Sequence, residues 1–440
     1  MVHGNREDIE VKVSARYLNQ RVESKEDPMA RNPMIAILFT VFLDLLGFGI
    51  AIPVLAPLFL DPNSPIMPLG AALGERTMML GLLLAAYPLA QFFGAPILGG
   101  LSDHHGRKKM ILIPLAGTFS GYIIFAAGIM SGSLPLLFVG RLLDGFAGGS
   151  ISIALSAIAD ISDPKEKSRN FGLVGMVFGL GFILGPFVGG KLADPSVLSW
   201  FNYSTPFLFA ALLSILNIAL VAWGFPETLK TRSKTPLDLF MGVRNIKRAL
   251  GMPNLRTIFT VVFLLTFGFN FFTQFFPVFL IEKFSFTQSS VGDTFAYVGF
   301  WVAVTQGLLN RKLSARFPPD RLLRYSIVFT SIALALLVLP DTPLVLFAVL
   351  TMIPIMNGFT YPNYTALISN LSGPESQGEI MGITQSIQSL GMAIPPIIAG
   401  LIVSAHINLP IMVASIITFL AWLLFVTTFR KEDKVQFHEV

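Results

Sequence analysis

Long apolar runs recur twelve times along this 440-residue chain, near residues 34–60, 78–100, 110–130, 135–159, 171–190, 205–225, 256–281, 291–309, 322–339, 343–369, 380–404 and 410–429. A helix rises about 1.5 Å per residue, so a run of about twenty residues crosses the roughly 30 Å of hydrocarbon in a bilayer. The runs therefore predict an all-α membrane protein. Composition agrees: 13% of the residues are charged, against about 25% in an average soluble domain. A soluble enzyme is excluded on that ground. The chain has no cysteine, which removes disulfides, thiolate metal sites and cysteine nucleophiles together. Its first residues are polar and the first apolar run starts near Met34, so the pattern predicts a polar tail and a retained first helix rather than a cleaved signal.

The longest polar stretch, 226–255, separates six runs from six. The expected organisation is a tail over 1–33, a six-helix bundle over 34–225, a linker over 226–255, a second six-helix bundle over 256–429 and a tail over 430–440. Nearly all of the 31 lysines and arginines fall in the tails, the linker and the loops after the second, fourth and eighth runs. Only Arg76, Lys191 and Lys283 lie on the other side; Arg256 and Arg324 sit at the cytoplasmic ends of their runs, and Arg141 alone lies deep inside one. The positive-inside bias then predicts that both termini are cytoplasmic. The halves also align with each other. At an offset of 210, Asp160, Ser162, Pro164, Gly172, Leu180, Gly181, Pro186 and Gly190 match Asn370, Ser372, Pro374, Gly382, Leu390, Gly391, Pro396 and Gly400. Two parallel six-helix repeats predict a substrate site at mid-membrane between them.

An ionisable side chain in mid-span costs about 2.5–3.5 kcal/mol on insertion scales and is kept only when paired, hydrated or useful. Asp44, Arg141 and Asp144 qualify, all in the first half. Asp44 lies close to the expected midplane and is a candidate proton carrier, with Arg141 as its electrostatic modulator. The other reading is a packing bridge, Asp44–Arg141 or Asp144–Arg141; three residues apart, the latter two share a helix face. The second half offers uncharged groups instead. With Gln91, the polar side chains Asn270, Gln274, Gln306, Asn357, Tyr361, Gln385 and Gln388 are candidates to line a substrate cavity, or to act as interhelical glue.

The loop Gly99-Gly100-Leu101-Ser102-Asp103-His104-His105-Gly106-Arg107-Lys108-Lys109 resembles that between the second and third helices of the major facilitator superfamily. Gly100, Asp103, Gly106 and Arg107 are the gate residues this implies, with the acid and the arginine latching the cytoplasmic face; a basic turn that only sets topology is the alternative. The run Gly140-Arg141-Leu142-Leu143-Asp144-Gly145 resembles the superfamily's helix-four motif, whose arginine is implicated in proton transfer. Gly181, Gly185, Pro186, Gly189 and Gly190 resemble its helix-five signature of antiporters. The first run, with Asp44, Gly47, Gly49 and Pro53, and Tyr87-Pro88-Leu89-Ala90-Gln91 resemble the twelve-helix tetracycline and multidrug proton antiporters. The loop at Asn310-Arg311-Lys312-Leu313-Ser314 keeps charge but lacks the acid and glycines, so no second gate of equal quality is expected. Pro226-Glu227-Thr228 resembles a tag of sugar transporters, with no copy after the twelfth run.

The resemblance implies a major facilitator fold of twelve transmembrane helices and proton-coupled export of lipophilic or amphipathic small molecules, in a cell (inner) membrane. Its partners would be substrate, H⁺ and lipid bilayer, with no nucleic acid, no metal, no cofactor beyond the coupling proton, and a monomeric state. A specific exporter of an endogenous metabolite or siderophore and a non-transporting receptor are the competing readings. An intramembrane enzyme is disfavoured, because no nucleophile–base or metal constellation is visible in the sequence.

Overall fold

The computed structural model describes residues 33–162, 167–229, 232, 240–371 and 377–429. Both predicted tails, apart from Pro33, and the repeat positions Pro164, Ser372 and Pro374 lie outside them. Helices fill each predicted run. The first half holds α1 (Pro33–Leu60), α2 (Leu73–His105), α3 (Arg107–Met130), a broken pair α4 (Leu134–Ala147) and α5 (Ser150–Ile161), then α6 (Lys167–Ala193) and α7 (Thr205–Gly224). The linker contains α8 (Met241–Leu250), which the polar composition of that stretch did not predict.

The second half begins with α9 (Pro253–Phe284) and α10 (Gln288–Val304), which runs through a π-helical turn at Thr305–Asn310 into α11 (Arg311–Ser314). It continues with α12 (Pro319–Leu336), the pair α13 (Pro343–Leu350) and α14 (Met352–Leu371), the pair α15 (Gln377–Ala393) and α16 (Pro395–Ile402), and α17 (Leu409–Thr428). Among the described residues, nine helical stretches are long and apolar enough to cross a membrane. The other three are α6, whose apolar part is Gly179–Ala193, the 17-residue α10, and α12, which carries Asp320, Arg321 and Arg324.

Lipid offers no hydrophobic force between helices, so small residues that admit close backbone approach hold such bundles together. On α6, Gly181, Gly185 and Gly189 recur every four residues and face α1. A Cβ added there would lie 2.7 Å from Leu45 Cβ, 2.7 Å from the Leu46 carbonyl and 2.5 Å from the Ile50 carbonyl. Gly190 turns instead to α10, where its Cβ would meet the Gln288 carbonyl at 2.5 Å, and a Cβ on Gly292 would meet the Pro186 carbonyl at 2.6 Å. The same contact recurs between α2 and α16: a Cβ on Gly81 would lie 2.3 Å from the Pro396 carbonyl, and one on Gly400 2.4 Å from the Thr77 carbonyl. Pro186 and Gly190 are the sequence repeats of Pro396 and Gly400, so the duplication in sequence is a duplication of contacts between halves.

Both seams lie on the face opposite the basic loops. There Thr77 Oγ1 donates to the Gly400 carbonyl at 2.8 Å, Lys191 Nζ to Asp293 Oδ2 at 2.8 Å and Ser289 Oγ at 2.6 Å, and Gln288 Nε2 to the Tyr203 hydroxyl at 2.8 Å. These hydrogen bonds join the two halves on this face. The molecule is therefore latched opposite its basic face.

Candidate functional site

The buried charges meet where α1, α2, α3 and the α4–α5 pair converge. Glycines make the approach possible: a Cβ on Gly145 would lie 2.4 Å from the Tyr87 carbonyl, one on Gly94 2.4 Å from the Phe146 carbonyl, and one on Gly149 2.6 Å from the Ala95 nitrogen. The fourth run breaks at Gly148-Gly149, and the second segment starts at Ser150. Ser150 Oγ donates to Asp44 Oδ2 at 2.5 Å, with both residues buried. Arg141 is 3% exposed, and its guanidinium lies 4.8 Å from the centroid of the Tyr87 ring. One of its terminal nitrogens approaches Asp144 Oδ2 at 3.6 Å, too far for a hydrogen bond, and its Nε has no hydrogen-bond partner.

Of the two bridges weighed from the sequence, the Arg141–Asp144 approach is the one present, and Asp44 is bonded to Ser150 instead. The near charge of Arg141 is Asp144, one turn along the same helix, while the near donor of Asp44 is a hydroxyl. The reason is the break in the fourth run, which carries Ser150 rather than Arg141 to α1. Ser150 is inconspicuous in the sequence because serine is ordinary in a helix; its signal is its place directly after two glycines. A buried cation with one nitrogen unbonded and its carboxylate beyond bonding distance retains capacity for another acceptor. The Tyr122 hydroxyl fills the space at Gly47, one turn below Asp44, and Phe48 packs on Tyr87 with centroids 5.4 Å apart. Among the described residues of the second half, no charged side chain is buried in mid-span.

At the basic face, Gly106 separates α2 from α3 with φ 99°, a left-handed backbone that favours glycine. Arg107 is bound to Asp103 Oδ1 at 2.5 Å, to Ser102 Oγ at 2.6 Å and, through Nε, to Asp160 Oδ2 at 2.9 Å. Glu227 caps α3 by accepting from the backbone nitrogens of Arg107 at 2.8 Å and Lys108 at 3.2 Å. A Cβ on Gly106 would lie 2.4 Å from Glu227 Oε2, so this glycine makes room for a carboxylate rather than for a second helix. Thr228 Oγ1 donates to Asp160 at 3.4 Å and closes the ring. Gly100 lies half-buried in the last turns of α2. In the sequence Asp160 is only a repeat position and Glu227 only part of a tag; their role needs the fold that brings the ends of α5 and α7 to α3.

The uncharged candidates are only partly brought together. Gln388 Nε2 donates to the Tyr364 hydroxyl at 2.6 Å, and Tyr364 meets Tyr361 edge to face with centroids 5.2 Å apart, making one polar aromatic cluster on α14 and α15. Gln91 donates to the Gly148 carbonyl at 3.1 Å in the first half, and Asn270 to Thr266 of its own helix at 2.8 Å. Gln274 is buried in α9, Gln306 lies in the π turn, and Asn357 and Gln385 are half-buried on α14 and α15. No hydrogen bond between described residues gathers these last four into one site; each sits on its own helix.

The model of the Major Facilitator Superfamily matches residues 37–396 and 282–439. The chain belongs to this superfamily. It is 29% identical over 377 residues to the class C tetracycline resistance protein of Escherichia coli, a match covering 86% of this chain and 91% of that one. It is 29% identical over 390 residues to the quinolone resistance protein NorA of Staphylococcus aureus (strain COL), covering 87% and 93%. Among solved structures, the human organic anion transporter MFSD10 (TETRAN) superposes with a TM-score of 0.68 at 22% identity, covering 91% of this chain and all of that one. A D-xylose-proton symporter gives a TM-score of 0.73 at 16% identity, covering 91% and 98%; at such identities the likeness is one of fold. The protein is thus a multi-pass membrane transporter with the major facilitator fold, and not an enzyme.

Proposed function

We propose that this transporter exports lipophilic or amphipathic small molecules in exchange for protons, with twelve spans in two six-helix halves working as a monomer by alternating access. The basic face is cytoplasmic on this reading, as are both termini, and the membrane is the cell membrane. The observation that carries the proposal is the buried constellation of the first half, a carboxylate bonded to Ser150 beside an incompletely satisfied Arg141–Asp144 pair. The names of the relatives, tetracycline and quinolone resistance proteins, support a drug-like substrate.

In the cycle, Asp44 takes a proton from the outer side and the neutral form favours reorientation. Substrate binding at the inner side then displaces the proton. Coupling requires that the two ligands disfavour each other, which an acidic site shared by or adjacent to both achieves through linkage. Arg141, one turn from Asp144, is the buried cation beside the carboxylates. Nothing but protons is required as the coupling ion. Gln91, Asn270, Gln274, Gln306, Asn357, Tyr361, Gln385 and Gln388 would supply a tolerant wall for the substrate, and the helix-five glycines a tight seam that keeps protons from leaking during exchange.

The test is proton release from proteoliposomes when cationic or zwitterionic drugs are added, comparing the intact protein with Asp44→Asn. Substrate-triggered release should fall at least a hundredfold in the variant. Drug transport without proton movement, or release indifferent to the substitution, refutes the assignment.

A further inference from the structure

We propose that the linker helix α8 is a chock between the two halves: it lies in the groove between α2 and α15 toward the basic face, and that face closes only when α8 leaves. Helices α2 and α15–α16 belong to different halves and run antiparallel. They touch backbone to backbone at Gly81 with Pro396 and at Thr77 with Gly400. Toward the basic face, Phe92 lies eleven residues from Gly81 and Ser386 ten from Pro396, each about 15–17 Å by helical rise. The two residues are thus level with each other on helices that meet above them, and α8 touches both. A Cβ on Gly242 would lie 3.0 Å from the Phe92 ring, and Asn245 Nδ2 donates to Ser386 Oγ at 3.1 Å, with Asn245 and Ser386 both buried.

The sequence of α8 fits the groove. Gly242, Asn245 and Ala249 fall at three- and four-residue spacing on one face, and Ala249 joins the apolar core that contains Ile380, Ile383 and Ile387. Glycine and alanine let the helix axis come close to both neighbours. Val243 and Leu250 flank this face at 51% and 64% exposure, and the exposed Lys247 lies beyond them. That order suits a helix at the membrane surface, with apolar flanks toward acyl chains and charge toward head groups. The depth is consistent, since the 33 residues of α2 extend about 50 Å and so overshoot the roughly 30 Å of hydrocarbon.

Alternating access closes one face as it opens the other. Closing the basic face must bring α2 toward α15 at the level of Phe92 and Ser386, where a helix about 10 Å across now lies. Docked α8 and a closed basic face therefore exclude each other, and docking adds its free energy to the latched state described here. The opposite groove has no such helix, because there Gly299 packs directly on Ile183, whose Cα would lie 3.0 Å from an added Cβ. The device is one-sided, and it involves neither the coupling ion nor the cargo.

The absence of cysteine makes the test clean. Asn245→Cys with Ser386→Cys, bridged by a short reversible thiol crosslinker, fixes α8 in its groove. Spin-label distances across both faces, read in reconstituted protein without substrate, should show two populations before bridging and only the basic-face-open one after it, with the second restored on reduction. Uptake of a fluorescent drug into inverted vesicles should fall at least tenfold on bridging and return with the reductant. Bridged protein that still samples both populations overturns the proposal, whatever the drug assay reads. If the double variant does not fold, Asn245→Ala reads the same equilibrium: the basic-face-closed population should rise about threefold, the scale of one lost buried hydrogen bond, and an unchanged population overturns the proposal.

Discussion

A carboxylate within a bilayer needs donors, and Asp44 has the Ser150 hydroxyl at 2.5 Å. That hydroxyl holds the carboxylate in place. Ser150→Ala should therefore lower substrate-triggered proton release about tenfold, the scale of a lost hydrogen bond to a carboxylate, and Ser150→Thr, which keeps the hydroxyl, should restore it; release unchanged by Ser150→Ala would reduce Ser150 to packing. Gly106 is the second residue whose identity follows from a contact. Its φ of 99° and the nearby Glu227 oxygen leave no room for a methyl group. Gly106→Ala and Glu227→Ala should each lower the thermal midpoint by a few degrees, and the double variant should fall no further than the worse single one, because both remove the same cap; additive losses would separate them. These residues were only partly legible beforehand. Asp44, Arg141 and Asp144 stand out because a charge in an apolar run is conspicuous, whereas Ser150, Asp160 and Glu227 are inconspicuous until helices far apart in sequence bring them into bonding distance.

Helices contact one another through glycines, and the contacts predict which glycines tolerate change. A Cβ at Gly189 would press on the Ile50 carbonyl at 2.5 Å, while one at Gly179 would find nothing within 4 Å. Gly189→Ala should cost about 1–3 kcal/mol as overpacking. Gly179→Ala, in the same helix, should be neutral or stabilising by up to about 1 kcal/mol. Thermal midpoints in detergent check both, and equal effects would refute the α1–α6 packing described here. Nine of the predicted runs hold helices long and apolar enough to span among the described residues; these and the matched seam positions were readable from sequence, because the bilayer demands long apolar runs and the seams demand glycine and proline at matched positions. Two elements were not. The basic side chains of α8 make 226–255 read as plain linker, since only the face formed by Gly242, Asn245 and Ala249 is buried. The π turn at Thr305–Asn310 has no signature in an apolar run, as it arises where α10 must fit against α14: a Cβ on Gly358 would lie 2.8 Å from the Thr305 side chain.

At the scale of the whole molecule, backbone seams and the Lys191–Asp293 ion pair are among the contacts between described residues that join the halves opposite the basic face, and these differ in weight. Lys191 and Asp293 are 33% and 49% exposed, so solvent screens their attraction and the pair contributes about 0.5 kcal/mol. Lys191→Ala should then shift the ratio of the two open states only about twofold, whereas Gly400→Leu, which drives a side chain into the Thr77 carbonyl, should strongly depopulate the state latched opposite the basic face; distance distributions between spin labels on the two faces measure both, and the reverse ranking would refute the seam as the dominant latch. The arrangement of buried charge carries a further, electrical meaning. On the proposed exchange, Arg141 and Asp144 offset each other one turn apart, which leaves the Asp44 proton as the charge that moves through the membrane field. One elementary charge moved through 100 mV is worth about 2.3 kcal/mol. Swapping one proton for a neutral drug should thus generate a current and respond to membrane voltage, while swapping it for a monovalent cationic drug should carry none, so that the electrical character of the pump is set by its passenger.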